Sequence, residues 1–236
     1  MGRAYEVRKA SIQKTGAAKS KLYSMYAREI YQAAKTGGTE VDANASLKRL
    51  IEKAKKDQVP ADIINRAIDK VNSGADESYT SVMYELFGPG GSTLMVECLT
   101  DNVNRSVSSI RAVINKCHIK MGAMGSVSYM YDTFAIVSVK ADEEIVMEAL
   151  IENDVDVMDL EVEEGNTIVY GNPKDLFAIK EALVQKLGNI EFDIDEITVL
   201  PKEKITLMGE DLELFQKLVT MLEDIEDVQH VYHNVE

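Results

Sequence analysis

The first stretch that could carry out chemistry is the glycine- and proline-rich run from Gly88 to Gly91. Loops of this kind bind phosphate when they lead from a strand into a helix, because the amides at the start of the helix receive the anion. Here Thr93 stands where a dinucleotide-binding loop has its third glycine, and no lysine follows as a P-loop requires. Residues 92–100 have the pattern of a strand, so the run is predicted to be a hairpin turn.

A second candidate begins at Asn102, where the sequence has the residue types that open a helix. A helix starting there exposes backbone amides and the positive end of its dipole, with Arg105 in its first turn. Two interpretations stay open. Asn102, Asn104 and Arg105 could form an anion-contacting surface, or Asp101 or Asn102 could cap the helix while Arg105 pairs with a nearby carboxylate.

The histidines and cysteines do not have the spacing of a metal site or a catalytic site. His230 and His233 lie three residues apart on a predicted strand, so they point to opposite faces. Cys98 and Cys117 form neither a C-x-x-C pair nor a Cys/His pair at zinc spacing, which predicts free thiols in a reducing compartment. We therefore expect no enzyme activity, no metal, no cofactor and no small-molecule substrate.

The charge is distributed unevenly along the 236 residues. Residues 1–75 hold 15 Lys and Arg against 8 Asp and Glu, a net charge of +7. Residues 76–236 hold 11 against 32, a net charge of -21, and the two parts give the total of -14. This segregation indicates a basic module for a polyanion on an acidic body, although the basic helices could instead complement the acidic part of the same molecule.

Hydrophobic periodicity predicts three amphipathic helices in the basic part, at 20–35, at 44–58 and from Pro60 onward. No run approaches eighteen apolar residues, and the first residues lack the apolar core of a signal peptide. We therefore expect a cytoplasmic protein with no membrane partner.

The pattern then changes to the period-2 alternation of strands, interrupted by helices. The predicted strands are 79–87, 92–100, 126–131, 134–140, 157–163, 167–171, 190–199, 203–208 and 228–234, and the predicted helices are about 103–117, 142–152, 174–187 and one from near Glu210 to Ile225. The order from 134 to 199 is βαββαβ, the split pattern of a ferredoxin-like sandwich.

We predict an α+β fold of three domains, namely an N-terminal helical domain and two α/β ferredoxin-like domains, one inserted in the other. The helical domain spans 1–75 and is the basic, nucleic-acid-binding one. Residues 76–131 and 202–236 form the split α/β domain, because the tail completes a sheet that the earlier segment leaves unfinished. Residues 132–201 form the inserted βαββαβ domain.

Several motifs resemble those of the YebC/PmpR family, which includes the YeeN-type bacterial proteins and the mitochondrial translational activator of cytochrome oxidase. The motifs are GPGGSTLMVECLTDNVNR (88–105), GSVSYMYD (125–132), EEGN (163–166) and VYHNVE (231–236), and the likeness covers essentially the whole chain. The segments ASLKRLIEKAKKDQVP (45–60) and DLELFQKLVTMLEDIEDVQHVYHNV (211–235) are similar to the YeeN-type branch. The resemblance implies three domains and a non-enzymatic role in gene expression.

Members of that family are described as DNA-binding transcriptional regulators, and others resemble ribosome-associated translation factors that bind structured RNA and relieve stalling. A third possibility is an acidic scaffold that meets a basic protein partner. The resemblance also makes Asn102, Asn104 and Arg105 a second candidate contact surface. For nucleic acid, whether DNA or ribosomal RNA, we predict phosphate contacts by the basic residues of the first domain: Arg8, Lys9, Lys14, Lys19, Lys21, Lys48, Lys55 and Lys56.

Overall fold

A computed structural model describes residues 16–74 and 77–236. The fold is α+β, with an N-terminal helical region followed by two four-stranded antiparallel sheets, as the sequence predicts. The helices are α1 (Gly16–Gly37), α2 (Ala45–Lys56), α3 (Ala61–Asn72), α4 (Val103–Cys117), α5 (Glu143–Glu152), α6 (Leu176–Leu187) and α7 (Gly209–Glu223). The strands are β1 (Thr80–Phe87), β2 (Thr93–Thr100), β3 (Lys120–Met121), β4 (Tyr131–Val139), β5 (Asp159–Glu163), β6 (Asn166–Gly171), β7 (Phe192–Pro201) and β8 (Val228–His233).

The three N-terminal helices pack through the apolar faces that their periodicity predicts. Ile30 of α1 and Leu47 of α2 have no exposed surface, and Ile64 of α3 is buried with them. The turn between α1 and α2 is fixed by Asn44, whose side chain donates to the carbonyl oxygens of Ala33 and Gly38 and accepts from the Leu47 amide. Among the described helices, none is both long and apolar enough to cross a membrane.

The first sheet has the strand order β3-β1-β2-β8, so the last strand of the chain pairs with β2. Helices α4 and α7 cover one face, where Leu86, Val96, Ile110 and Leu218 are fully buried. The described part of residues 14–127 and residues 205–236 form one compact unit, in which the helical region and this sheet are held together.

The second sheet forms from residues 131–201, which lie between the segments of the first sheet in the sequence. Its strand order β5-β6-β4-β7 and its βαββαβ sequence are those of the predicted ferredoxin-like sandwich. Helices α5 and α6 cover one face, with Val137, Val169, Ile179 and Leu183 at the centre of the core. This sheet belongs to the second compact unit, residues 128–204. The boundaries of the predicted three domains stay a prediction.

Two predicted strands are wrong. Residues 126–130 contain a helical turn at Ser128–Met130, and β4 begins only at Tyr131. The Val127 amide, which a strand would use for pairing, donates instead to the Glu85 carboxylate, as does the Gly125 amide before it. Residues 203–208 contribute a single parallel bridge, between Ile205 and Val235, and are otherwise irregular.

Candidate nucleic-acid interface

Helix α2 separates an apolar face from a basic one. Leu47, Ile51 and Ala54 are buried against the other N-terminal helices. Lys48, Lys55 and Lys56 are exposed, and we call these three residues the α2 basic face. Because Asn44 is 6% exposed and caps α2 from within the α1–α2 turn, the helix has a fixed orientation and presents these lysines away from the core.

Lys55 and Lys56 also stabilise the helix itself, since cations in a last turn interact favourably with the negative end of the helix dipole. Lys48 Nζ lies 3.6 Å from Asp42 Oδ1, but both side chains are more than half exposed. Such a pair contributes little in water, so Lys48 can exchange Asp42 for a phosphate at small cost.

The other predicted basic residues differ from one another. Lys19 is exposed. Lys21 is half-buried, and burial lowers the pKa of its amine even though the neighbouring Glu223 and Asp224 raise it. Its charge therefore faces the acidic end of α7. Arg8, Lys9 and Lys14 lie outside the described residues.

The glycine-rich run forms a tight turn between β1 and β2, as predicted. Pro89–Gly91 is one helical turn, closed by a hydrogen bond from the Gly88 amide to the Ser92 carbonyl oxygen, 2.8 Å long. Gly90 has φ 61°, and a Cβ added there would lie 2.6 Å from Leu207 Cδ2. Only glycine fits both the backbone conformation and the close approach of Leu207.

Asn102 caps α4, with its Oδ1 3.1 Å from the Arg105 amide. The Arg105 guanidinium binds two carboxylates. It donates from Nε and Nη2 to the two oxygens of Asp227, at 3.1 and 2.7 Å, and from Nη2 to Asp101 at 2.7 Å. Of the two interpretations that the sequence left open, the structure shows the second. Asn102 caps the helix, and Arg105 pairs with carboxylates, one of which lies 122 residues further along the chain.

Asp227 is the centre of this network, and its side chain is 3% exposed. Burial alone would raise the pKa of the Asp227 carboxyl, but hydrogen bonds from Arg105, Ser106 and Thr100, with the charge of Arg105, outweigh it and hold the pKa below its usual range. Asp227 and Asp101 raise the pKa of the Arg105 guanidinium. Two carboxylates of the same protein thus compensate the positive charge of Arg105. The neighbouring Asn104 is exposed.

The helical region joins the same network through Arg28 of α1. Its Nη1 donates to the Glu226 carbonyl oxygen at 2.8 Å and lies 3.5 Å from Asp227 Oδ1, and its Nη2 contacts the Glu226 carboxylate. Asp227 therefore contacts one arginine from the helical region and one from α4.

The histidines of β8 point to opposite faces, as predicted. The His233 ring packs edge-on against Phe215 of the core, and His230 stacks on Tyr232. Across the described ranges, no three His, Cys, Asp or Glu side chains are grouped to hold a metal ion. Cys98 and Cys117 are free and buried, and burial raises the pKa of the Cys98 thiol to about 12.

A further basic surface escaped the sequence prediction. It consists of Arg111 and Lys116 on the outer side of α4 and Lys120 at β3, all exposed, and we call it the α4–β3 surface. The signal was available in the sequence, because residues 102–131 contain four Lys and Arg and no Asp or Glu.

Comparison with known proteins identifies the class. Residues 3–74 match the TACO1/YebC protein N-terminal domain, and residues 79–235 match the TACO1/YebC second and third domain. The chain therefore belongs to the TACO1/YebC family. Assignment to the YeeN-type branch stays a prediction.

The chain is similar to curated and solved proteins over nearly its whole length. Two relatives named probable transcriptional regulatory proteins are each 49% identical: one from Pseudoalteromonas atlantica, with 99% of this chain and 97% of the relative covered, and one from Vibrio campbellii, with 100% of both covered. The crystal structure of the conserved hypothetical protein Aq1575 from Aquifex aeolicus matches with a TM-score of 0.76 at 34% identity and covers 95% of each chain.

Proposed function

We propose that this chain is a DNA-binding transcriptional regulator that catalyses no reaction and contacts the phosphate backbone through its N-terminal helical region. The observation that carries the proposal is the α2 basic face, which is exposed on a helix of fixed orientation. Two further facts support it: residues 1–75 have a net charge of +7 on an otherwise acidic chain, and the relatives at 49% identity are named probable transcriptional regulatory proteins.

The mode of contact follows from the residue types. The exposed cations of α2 are all lysines, which bind phosphate as point charges and do not form the planar, two-bond contact that arginine makes with guanine. Phosphate contacts orient a protein on a duplex but carry no direct sequence information. We therefore expect modest sequence selectivity from this region by itself.

The acidic remainder of the protein favours one orientation. Residues 76–236 carry a net charge of -21, which repels a polyanion from most of that surface and directs it to the basic side. The proposal also puts the protein in the cytoplasm, a reducing compartment where the buried thiols of Cys98 and Cys117 stay free.

The lysine-rich character of α2 supports a second candidate, a translation factor that binds structured RNA on the ribosome. An exposed row of lysines can bind a folded RNA as well as a DNA duplex, because both present closely spaced phosphates. The two functions differ in the preferred ligand and in the cellular particle with which the protein migrates.

The first experiment measures binding of the full chain to fluorescent duplex DNA and to a structured RNA as a function of salt. If about six cations engage the duplex, the plot of log K against log salt has a slope of roughly -5. Replacing Lys48, Lys55 and Lys56 with Gln should make that slope shallower by about 2.7, at roughly 0.9 per phosphate contact.

The matched control removes three exposed lysines from acidic parts of the chain, Lys140, Lys174 and Lys217, also to Gln. Both variants lose three charges, so only a local contact distinguishes them. Equal slopes for the two variants would overturn the proposed role of α2. Two measurements then separate the two functions. Co-migration with ribosomes on sedimentation of cell extract, lost in the α2 variant, supports translation. Selective retention of promoter DNA in a binding assay supports transcription.

A further inference from the structure

The outer side of α4 is a basic island in the acidic part of the protein. Residues 76–236 contain 32 Asp and Glu, yet none of them falls between 102 and 131, where four Lys and Arg occur. Arg105 is one of the four, and its charge is compensated by Asp101 and Asp227. The net positive character therefore lies further along the chain, at the α4–β3 surface of Arg111, Lys116 and Lys120.

The packing of α4 fixes which side chains face outward. Ser106, Ile110, Val113, Ile114 and Cys117 are buried on the sheet side of the helix. The opposite side presents a stripe of exposed polar residues at positions separated by four, three and four: Asn104, Ser108, Arg111 and Asn115. Three uncharged polar residues and one cation thus lie along one line of the helix, and Lys116 lies beside it.

Lys120 extends the surface beyond the end of α4 on a segment that is held in place. It lies opposite Phe87 in the pairing of β3 with β1, and the Gly122 amide donates to the Glu85 carbonyl oxygen at 2.7 Å. The Glu85 carboxylate is 6% exposed and accepts from Gly125 and Val127 at 2.7 and 2.5 Å. The segment after Lys120 is therefore anchored by both the backbone and the side chain of one residue.

The three cations of the α4–β3 surface form no ion pair among the described residues. Within residues 16–74 and 77–236, no carboxylate lies within ion-pair distance of Arg111, Lys116 or Lys120. Arg105, in the first turn of the same helix, makes ion pairs with two carboxylates. Two carboxylates therefore compensate the charge of Arg105, whereas no described carboxylate pairs with the cations of the α4–β3 surface.

We propose that the α4–β3 surface is a second phosphate-contacting site, which binds the same nucleic acid that the α2 basic face binds. The inference rests on the proposed function. Nucleic acid fits better than an acidic protein, because the side-chain amides of Asn104 and Asn115 offer uncharged donors beside the cations, and phosphate and sugar oxygens accept from both kinds. Both surfaces belong to one compact unit, in which Arg28 and Arg105 both contact Asp227. A single nucleic acid that reaches both surfaces gains from two weak contacts.

The test replaces Arg111, Lys116 and Lys120 together with Gln in the full chain and measures binding to the same duplex and the same structured RNA across salt. We expect the slope of log K against log salt on the duplex to become shallower by about 2.7. A charge-preserving variant, Arg111→Lys with Lys116→Arg and Lys120→Arg, should keep the wild-type slope, as should the variant at Lys140, Lys174 and Lys217. Unfolding midpoints establish that each variant is folded.

The outcomes separate this inference from the proposed function. If the wild-type protein binds nucleic acid and the α4–β3 variant has the same slope and affinity, the inference is overturned and the proposed function stands. If the wild-type protein binds neither ligand, both are overturned. Combining the α2 and α4–β3 substitutions should make the slope shallower by about 5.4, at roughly 0.9 per phosphate contact, and a slope equal to that of the wild type would contradict both sites.

Discussion

The two carboxylate oxygens of Asp227 each accept a hydrogen bond from the guanidinium of Arg105, at 3.1 Å from Nε and 2.7 Å from Nη2. The geometry is a two-bond pair, which is stronger than a single contact and fixes the plane of both groups. Ser106 Oγ donates to the same carboxylate at 2.7 Å. The start of α4 is therefore attached to the turn before β8 by a buried charge, and Arg28 attaches the helical region to that turn.

We expect Asp227→Asn to lower the free energy of unfolding by about 3 kcal/mol, the low end of the range for removing one partner from a buried ion pair. The low end applies because Arg105 is 48% exposed and water can solvate part of its charge. Urea unfolding measures the loss.

The control is Asp101→Asn, which removes the other carboxylate from the same arginine. Asp101 is 53% exposed, so its contribution should stay below about 1 kcal/mol. Equal losses for the two variants would show that burial of Asp227 does not set the energetics of the network.

The same pair predicts how stability depends on pH. The pKa of Asp227 is lower in the folded protein than in the unfolded chain, so the unfolded state binds more protons as the pH falls. The stabilisation by this group is therefore complete above the unfolded pKa of about 3.9 and is lost as the pH falls through the folded pKa.

The difference in unfolding free energy between wild type and Asp227→Asn should accordingly be constant from pH 7 to 5 and should shrink below about pH 4. Unfolding curves at pH 7, 5, 4 and 3 measure it. A difference that grows on acidification would mean that the carboxyl is protonated in the native state.

Local structure was largely predictable from the sequence, because its causes are local. The turn at Gly88–Gly91 and the three N-terminal helices follow from residue type and spacing. For the helix cap, the residue types left Asp101 and Asn102 open, and the structure shows Asn102. At the strand predicted at 126–131, the Val127 amide is bound by Glu85, some 40 residues earlier, as is the Gly125 amide just before it. Alternating residues indicate which side chains are buried, but they do not tell whether the backbone pairs with a strand or with a carboxylate.

The interface was predictable in part for the same reason. The exposed lysines of α2 follow from a helical wheel, since the face opposite Leu47 and Ile51 must meet solvent. The compensation of Arg105 by Asp227 could not be foreseen, because the two residues meet only after β8 pairs with β2. Because that contact compensates the charge of Arg105, the candidate phosphate-binding cations of α4 are Arg111 and Lys116.

The contacts of Glu85 predict a local effect of mutation. Glu85→Gln keeps one acceptor oxygen but turns an amide group toward one of the two backbone donors, so one buried N–H loses its partner. We expect the free energy of unfolding to fall by about 1–3 kcal/mol, and hydrogen exchange at the amides of Gly125 and Val127 to become faster.

Glu97→Gln on the neighbouring strand is the matched control. The Glu97 carboxylate accepts from the Tyr232 hydroxyl at 3.0 Å, and an amide oxygen can replace it in that bond. The exchange rates at Gly125 and Val127 should be unchanged in this variant. Protection that survives in Glu85→Gln would contradict the anchoring role of the carboxylate.

The turn between β1 and β2 offers a pair of substitutions that separates backbone strain from side-chain contact. Gly90 and Gly91 both have positive φ, 61° and 82°, so alanine costs about 1–2 kcal/mol in backbone energy at either position. A Cβ at Gly91 meets nothing within 4 Å, whereas one at Gly90 approaches Leu207 to 2.6 Å.

Gly90→Ala should therefore destabilise the protein more than Gly91→Ala, by a further 1–3 kcal/mol or so, because Leu207 must move in a packed core. Urea unfolding of the two variants measures the difference, and equal losses would show that the contact with Leu207 is not limiting. Folded Gly91→Ala should bind nucleic acid with wild-type affinity and salt slope, since a hairpin turn that contacts its own core has no phosphate to hold. A selective loss of binding in that variant would restore a ligand-binding role to the glycine-rich run.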